Sequence, residues 1–554
     1  MRTIGICILF AVAVSACIPT AAHAQFSVLY NFATVDGDPF QPFTNGMIAQ
    51  GRDGNLYSGA LGGVNNAGTA YKITPAGALS VLYNFASVSG DGYYPYGGLT
   101  LGSDGNFYGT TYGGGFASLG TVFKMTPTGS LTTFYTFTDG TEGALPEAPP
   151  VQGPDGNFYG TTCPACNGQA GHGAIYKVTP AGTFSVLYPF DGTHGDQPEA
   201  ALLLGTDGNF YGTTAYGGLN GYGVVFRITL AGKLTVVHNF DHTRGAYPVS
   251  PLMQASDGNF YGTTLSGGTM DYGTIFRMTP TGAVTILHNM NGTTNGGSPY
   301  AGLVQATNGN FYGANNSGGA ASTGCPSGCG TVFKMTPAGV FSVLHSFDVT
   351  TGQLPYGNLF QHTNGIIYGT TQLGGTGTNN ACGAGNCGVL YSVNIGAAPF
   401  VSLMSPAAKV GKVVEILGQG FKGTTAVSFN GTAAKFTVGT STYMTATVPA
   451  GATTGNVTVT TPGGVLTSNR KFRVTPQLTG FGPSIGPVGA VVALTGVSLT
   501  QASKITFGGV AATTFTVNSD TSVSVTVPTG AASGKIVITT PGGTATSATS
   551  FIVS

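Results

Sequence analysis

Asp104-Gly105-Asn106-Phe107-Tyr108-Gly109-Thr110-Thr111 is one copy of an octapeptide that the chain repeats. Equivalents begin at Asp53, Asp155, Asp207, Asp257, Asn308 and Asn364, so successive copies lie 51, 51, 52, 50, 51 and 56 residues apart. A second block, Val122-Phe123-Lys124-Met125-Thr126-Pro127, follows each copy in recognisable form, and a third, of the type Leu79-Ser80-Val81-Leu82-Tyr83-Asn84-Phe85, follows the second. A fixed period of this length marks an array of one supersecondary unit. In the second unit the strands are expected near Gly98–Gly102, Asn106–Thr111, Thr121–Thr126 and Leu131–Phe137. The turns between them have a stated chemistry. Asp104 accepts backbone N–H bonds and Gly105 tolerates positive φ, while Thr126-Pro127-Thr128-Gly129 places Pro early and Gly late in a tight turn.

Four-stranded units repeated seven times predict a seven-bladed β-propeller, against an open solenoid as the alternative. The strand-four block decides between them. The last unit lacks one after Tyr391–Gly396, and an extra copy, Phe26-Ser27-Val28-Leu29-Tyr30-Asn31-Phe32, stands at the N-terminal end. A ring uses that copy to complete the last blade and removes the free sheet edges of an open array. The repeated blocks resemble the Gloeobacter/Verrucomicrobia-type tandem repeat of exported bacterial proteins over about residues 26–395. The resemblance implies export and carries no activity that can be transferred to positions here.

After Gly396 the pattern changes. Val427-Ser428-Phe429-Asn430-Gly431 is matched by Ile505-Thr506-Phe507-Gly508-Gly509, and Thr461-Pro462-Gly463-Gly464 by Thr540-Pro541-Gly542-Gly543. Short alternating strands with Gly and Pro turns predict small sandwiches. Both stretches resemble IPT/TIG domains of the immunoglobulin-like fold, which implies spacing or protein binding in exported proteins. The basic loops of DNA-binding members are missing, the second module having only Lys504 and Lys535. The expected organisation is all-β: a signal peptide over residues 1–24, the propeller over 25–396 and two immunoglobulin-like β-sandwiches over 397–475 and 476–554.

Composition supports this class and excludes others. Only 7% of the 554 residues are Asp, Glu, Lys or Arg, the formal net charge is zero, and glycine contributes 92 residues. An ordinary globular domain carries about 25% charged residues. No basic field exists here to attract nucleic acid. Arg2, the apolar run Ile4–Ala16 and Ala22-His23-Ala24 read as a signal peptide cleaved before Gln25. Val14-Ser15-Ala16-Cys17 resembles a lipoprotein box, the competing reading, which leaves a lipid anchor at Cys17. No later stretch is long and apolar enough to span a bilayer as a helix. Secretion or attachment to the cell envelope is therefore expected.

Six cysteines beyond the leader form three close pairs, Cys163/Cys166, Cys325/Cys329 and Cys382/Cys387, all between strands two and three of their units. In an exported chain this predicts local disulfides. Cys163-Pro164-Ala165-Cys166, with His172 nearby, also has the spacing of a redox motif or half a zinc site, but no helix N-terminus is readable there to lower a thiol pKa. His238, His288 and His345 occupy the strand-four position filled elsewhere by Tyr30, Tyr83, Tyr135 and Tyr188, and are expected to pack rather than to bind metal. The Lys or Arg on strand three recurs in six units, with Ser392 in the seventh, and the Asp at the first turn recurs in five, which marks scaffold.

Function is expected on the loops that vary, those between strands two and three and between strands four and one. They hold Asp139, Glu142, Glu147, Asp191, His194, Asp196, Glu199, Asp241, His242 and Arg244, together with Tyr93, Tyr94, Tyr216 and Tyr272. The leading expectation is a surface binding or adhesion protein for an extracellular glycan or protein, with the immunoglobulin-like modules as stalk or docking units. No cofactor, catalytic residue or metal site is assigned. A propeller-based lyase or glycosidase is the alternative and needs converging carboxylates; a non-binding matrix protein is a third.

Overall fold

The computed structural model describes residues 24–35, 37–42, 47–138, 143–163, 171–377 and 387–554. Between Gln25 and Asn394 the chain forms seven antiparallel sheets built on four strands of one design, the first blade carrying the extra strand Pro39–Phe40, and these are the propeller blades. In the second blade Leu99–Leu101, Phe107–Thr111, Thr121–Met125 and Leu131–Thr136 succeed one another from the inner to the outer strand. The last blade consists of Phe360–Gln361, Ile367–Thr371 and Val389–Asn394, and its outer strand is Gln25–Asn31, which pairs antiparallel with Val389–Asn394. The N-terminal copy of the strand-four block thus closes the ring, and the open solenoid is excluded.

Each part of the octapeptide has a separate job in holding neighbouring blades. The Tyr of one Phe-Tyr pair packs against the Phe of the next blade: Tyr57 lies 4.0 Å from Phe107, Tyr108 3.8 Å from Phe158, Tyr211 4.2 Å from Phe260 and Tyr261 4.3 Å from Phe311, ring centre to ring centre. Because strand residues alternate between faces, two consecutive aromatics serve two different neighbours. Glutamines at the end of strand one continue the linkage on the backbone. Ser103 N donates to Gln152 Oε1 at 2.8 Å, Ser256 N to Gln305 at 2.9 Å and Thr307 N to Gln361 at 3.0 Å. Thr363 N donates to Gln50 at 3.0 Å, which carries the same bond across the closing seam.

The turn aspartates are structural. Asn106 N and Nδ2 donate to Asp104 at 3.1 and 2.7 Å, and the Tyr108 hydroxyl donates at 2.9 Å. Burial alone raises the pKa of Asp104, but these bonds outweigh it and the net shift is downward. A carboxylate held below its unfolded pKa stabilises the fold above that value, and the stabilisation is lost as pH falls through the folded pKa. Asp104→Ala is therefore expected to cost about 1 kcal/mol at pH 7, discounted for its exposed position. The difference from the parent protein should shrink in urea titrations as pH falls through the lowered pKa of Asp104. A difference that persists in acid would show that the turn is held by something else.

One feature of strand four departs from strict alternation. Every blade has a β-bulge there, with the register shifting between Val28 and Tyr30 in the last blade, between Val81 and Tyr83 in the first, and at equivalent points in the others. The extra residue explains why Val81, Leu82 and Tyr83 are successively apolar and all half-buried. His288 and His345, as expected, pack against aromatic rings, His288 stacking on Phe341 at 4.0 Å and His345 on Phe26 at 3.6 Å. Burial lowers the pKa of His238, His288 and His345. No group of three or more metal-ligating side chains occurs among the described residues.

The two C-terminal modules are sandwiches. The first closes over Val414, Ile416, Phe421, Phe429, Met444, Val459 and Phe472, the second over Val492, Leu494, Ile505, Phe507, Val525, Ile538 and Phe551. The first module is seated on the propeller face that carries the Asp-Gly-Asn turns. Arg52 pairs with Glu415 at 2.6 Å and lies over the Tyr443 ring at 4.6 Å, while Thr442 Oγ1 donates to Arg52 O at 2.8 Å. Phe400 N donates to Thr363 O at 3.0 Å, and Gln419 Nε2 to Thr363 Oγ1 at 2.8 Å. Arg52 lies in the first blade and Thr363 in the last, so the module sits across the seam where the ring closes.

Candidate ligand-binding face

With the first immunoglobulin-like module on one face, the opposite face carries the variable loops. Its geometry is set by a recurring step just before strand one. Gln41, Tyr94, Leu145, Gln197, Tyr247, Ser298 and Leu354 all adopt positive φ, between 46° and 60°, and each precedes a proline. Both backbone groups of this residue are held by the two–three loops: Gln197 N donates to His172 O at 3.1 Å and Ala215 N donates to Gln197 O at 2.9 Å. The first Thr of the octapeptide then fastens the segment from the neighbouring blade. Thr110 Oγ1 donates to Ala148 O at 3.1 Å and Thr161 Oγ1 to Ala200 O at 3.2 Å. The side chain after each proline is thereby presented at a fixed place on the inner rim of its blade.

That column reads Phe43, Tyr96, Glu147, Glu199, Val249, Tyr300 and Tyr356 in blade order, of which Phe43 lies outside the described residues. Its members converge. The Tyr300 and Tyr356 rings meet edge to face at 4.7 Å, and Tyr96 packs against Tyr112 at 5.0 Å. Burial raises Glu147 to about 7, and burial together with the charge of Glu147 raises Glu199 to about 8. Two carboxyl groups on adjacent blades therefore share a crowded site in which both cannot readily ionise. Their field reaches the tyrosines. Burial is the larger cause of the rise of Tyr96 and Tyr300 to about 12, and Glu147 contributes to the first and Glu199 to the second. Glu199 and Tyr300 belong to blades separated by a third, so this coupling runs around the axial mouth and not along one blade.

The other charged residues expected on this face are engaged at its rim. His194 Nδ1 lies 2.7 Å from Asp191, His172 Nδ1 3.3 Å from Asp196, His242 Nε2 3.2 Å from Asp271, and Arg244 donates to Asp241 at 2.7 Å. Burial opposes ionisation of Asp191, but hydrogen bonds from His194 and Thr193 hold it at about 2. Asp139 and Glu142 lie outside the described residues, as do Cys166 and Cys382. Cys325 and Cys329 are bonded to each other, with Cα atoms 5.4 Å apart, and Cys163 and Cys387 are also disulfide-bonded.

The sequence reading included Glu147 and Glu199 among ten residues without separating them from the rim, and it passed over Tyr96, Tyr112, Tyr300 and Tyr356. A signal was present. The residue after the proline that all seven four–one loops share is a repeat column that is aromatic in four units, acidic in two and valine in one.

Fold and site together define a closed β-propeller with an aromatic and acidic axial mouth, followed by two immunoglobulin-like modules. The chain belongs to the Gloeobacter/Verrucomicrobia repeat family, whose repeat matches residues 18–203, 140–327 and 201–413. IPT/TIG domains match residues 399–474 and 476–553. No curated protein matches the sequence. Among solved structures, SGBP-B from a complex xyloglucan utilisation locus in Bacteroides uniformis is 21% identical over 27% of this chain and 48% of its own, with a TM-score of 0.15. A fungal alcohol oxidase in complex with copper is 15% identical over 82% of this chain and 99% of its own, with a TM-score of 0.44. The surface glycan-binding protein PbSGBP-B from Prevotella bryantii is 16% identical over 27% and 41%, with a TM-score of 0.22. This chain spans about half the length or less of the two surface proteins. These are likenesses of fold class.

Proposed function

We propose that this is an exported binding protein of the cell surface whose propeller takes a glycan at the axial mouth, with the immunoglobulin-like modules acting as its mount. The observation that carries this reading is the convergence of Tyr96, Tyr300 and Tyr356 with Glu147 and Glu199 on the face opposite the seated module. Half-buried tyrosine rings offer flat apolar surface to the C–H faces of sugars, and carboxyl groups offer hydrogen bonds to their hydroxyls. Export accords with the leader, with the disulfides, and with a closing strand that starts at Gln25, the residue after the expected cleavage point. Among the described residues no helix is long and apolar enough to cross a membrane. A second reading, a carbohydrate-active enzyme, draws on the same paired glutamates, since two carboxyls of which one keeps a proton form the minimum of acid–base chemistry.

The test is a glycan array on the mature protein followed by calorimetry with the best oligosaccharide. Tyr300→Ala combined with Tyr356→Ala is expected to weaken binding by about tenfold or more. Lys504→Ala, in the second module, should leave it unchanged. Binding that survives the tyrosine change, or that depends on the C-terminal modules, would remove the mouth from the model. Release of reducing ends from the bound oligosaccharide would favour the enzyme reading.

A further inference from the structure

We propose that the ligand is a long, neutral, unbranched glycan chain that lies along a track from the mouth to the rim, over Tyr356 and Tyr300 and outward to Tyr272 and Tyr216. The inference rests on the glycan reading above and adds to it the length and the charge of the ligand.

The argument begins at the rim. Tyr216 and Tyr272 belong to the two–three loops of the fourth and fifth blades and are 42% and 45% exposed. Their backbones are held. Asp196 N donates to Tyr216 O at 2.9 Å, Tyr216 N donates to Asp196 O at 3.0 Å, and Ser298 N donates to Tyr272 O at 2.8 Å. Their rings are also backed by protein. Tyr216 packs against Tyr247 at 4.9 Å, and Tyr247 meets Tyr222 at 6.0 Å. Tyr272 lies against Gly292, where a Cβ would fall 2.5 Å from Cδ1 of the ring. A ring that rests on glycine and stays nearly half exposed is a fixed apolar surface open to a ligand.

One stretch of backbone joins the rim to the mouth. Ser298, which holds Tyr272 O, is the positive-φ residue of its four–one loop, and Pro299 and Tyr300 follow it. Tyr272 on the rim loop and Tyr300 on the inner rim are therefore anchored to the same rigid step. Tyr300 in turn meets Tyr356 of the last blade at 4.7 Å. The charges beside this track set the kind of chain. Arg244 donates to Asp241 at 2.7 Å, and His242 Nε2 lies 3.2 Å from Asp271. These acids have basic partners within the same face, so the rim offers little net attraction to a charged polymer. A neutral chain of pyranoses covers the rings with its C–H faces and leaves those pairs intact. A chain that reaches both ends gains at each while losing its translational freedom once, so affinity climbs with length.

The experiment titrates the mature protein by calorimetry with β-1,4-linked glucose oligomers of two, four and six units. Their hydroxyls are equatorial, so each ring presents C–H faces on both sides. The hexamer is expected to bind at least about tenfold tighter than the dimer. Tyr216→Ala with Tyr272→Ala should remove that advantage and leave dimer binding unchanged, and Tyr272→Ala alone should remove part of it. Tyr216→Phe with Tyr272→Phe should keep it, because the ring and not the hydroxyl makes the contact. Phe116→Ala, which removes a ring 84% exposed on the second blade and off the track, should change nothing. Thermal unfolding of these variants is expected to match that of the parent protein. Equal binding of dimer and hexamer, or an advantage that survives loss of both tyrosines, overturns the proposal and leaves the glycan reading standing. Hexamer binding that needs Tyr216 and Tyr272 but not Tyr300 and Tyr356 overturns the mouth as the glycan site, and the track with it. Binding of no member of the series overturns the proposal, and the glycan array then decides the glycan reading by itself.

Discussion

A chain that begins after Asn31 is expected to lose cooperative folding of the propeller. The strand Gln25–Asn31 forms the outer edge of the last blade, with Phe26 opposite Val393, Val28 opposite Tyr391 and Tyr30 opposite Leu390. Phe26 stacks on His345 and also meets Phe347 at 5.6 Å and Tyr391 at 5.4 Å, so it binds the last blade to the one before it. Loss of one such aromatic costs about 3 kcal/mol, and loss of the whole strand with its backbone bonds costs more than 5 kcal/mol by the same reckoning. That matches the entire stability of an ordinary domain. Phe26→Ala alone should shift the urea midpoint clearly, and deletion of residues 25–31 should expose the amides of Val389–Asn394 to rapid hydrogen exchange. Adding a peptide of residues 25–31 in excess should restore part of the protection. A deletion variant with the parental midpoint would mean that the ring is held closed by the first immunoglobulin-like module through Arg52 and Thr363, and not by the strand.

The second large effect is expected at Gly77. This residue ends a Thr-Pro-x-Gly turn at φ +92°, and a Cβ there would lie 2.5 Å from the carbonyl oxygen of Leu29. Leu29 is the bulge residue of the closing strand, so the turn of the first blade sits directly on the backbone of the last. Gly77→Ala combines left-handed strain with a backbone clash that no rotamer relieves, and about 2–4 kcal/mol is expected. Gly156, at φ +82° with nothing within 4 Å of its Cβ position, is the control. Gly156→Ala should cost only the strain, about 1 kcal/mol. Equal losses at the two sites in denaturant titrations would show that inter-blade contact has no part in the glycine requirement.

Much of this architecture is written in local chemistry. The octapeptide period, the Asp-Gly and Thr-Pro-x-Gly turns and the displaced strand-four block are sufficient to predict the strands, their order and the closure of the ring. They act through spacing and φ preference, which are properties of the chain itself. The bulge in strand four was not legible, because Leu82 between Val81 and Tyr83 fits an apolar run as well as an extra residue. Only pairing with strand three shows which of them is unpaired.

The sites divide in the same way. That the variable loops share one face follows from an up-and-down blade, and the cysteines, histidines and acids of those loops could be placed there from the repeat alone. Distance from the axis could not. Asp191, Asp196 and Glu199 stand close together in sequence, yet the first two pair with histidines at the rim, while Glu199 turns inward beside Glu147, 52 residues away, and toward Tyr300, 101 residues away. The positive-φ residue and its proline set that inward turn, and ring closure brings the inner ends of separate blades to a common axis. The sequence by itself determined a repeated strand order and a closed ring. The tertiary structure alone decided which face the immunoglobulin-like module covers and which side chains meet at the mouth, because both depend on the radial position that closure imposes.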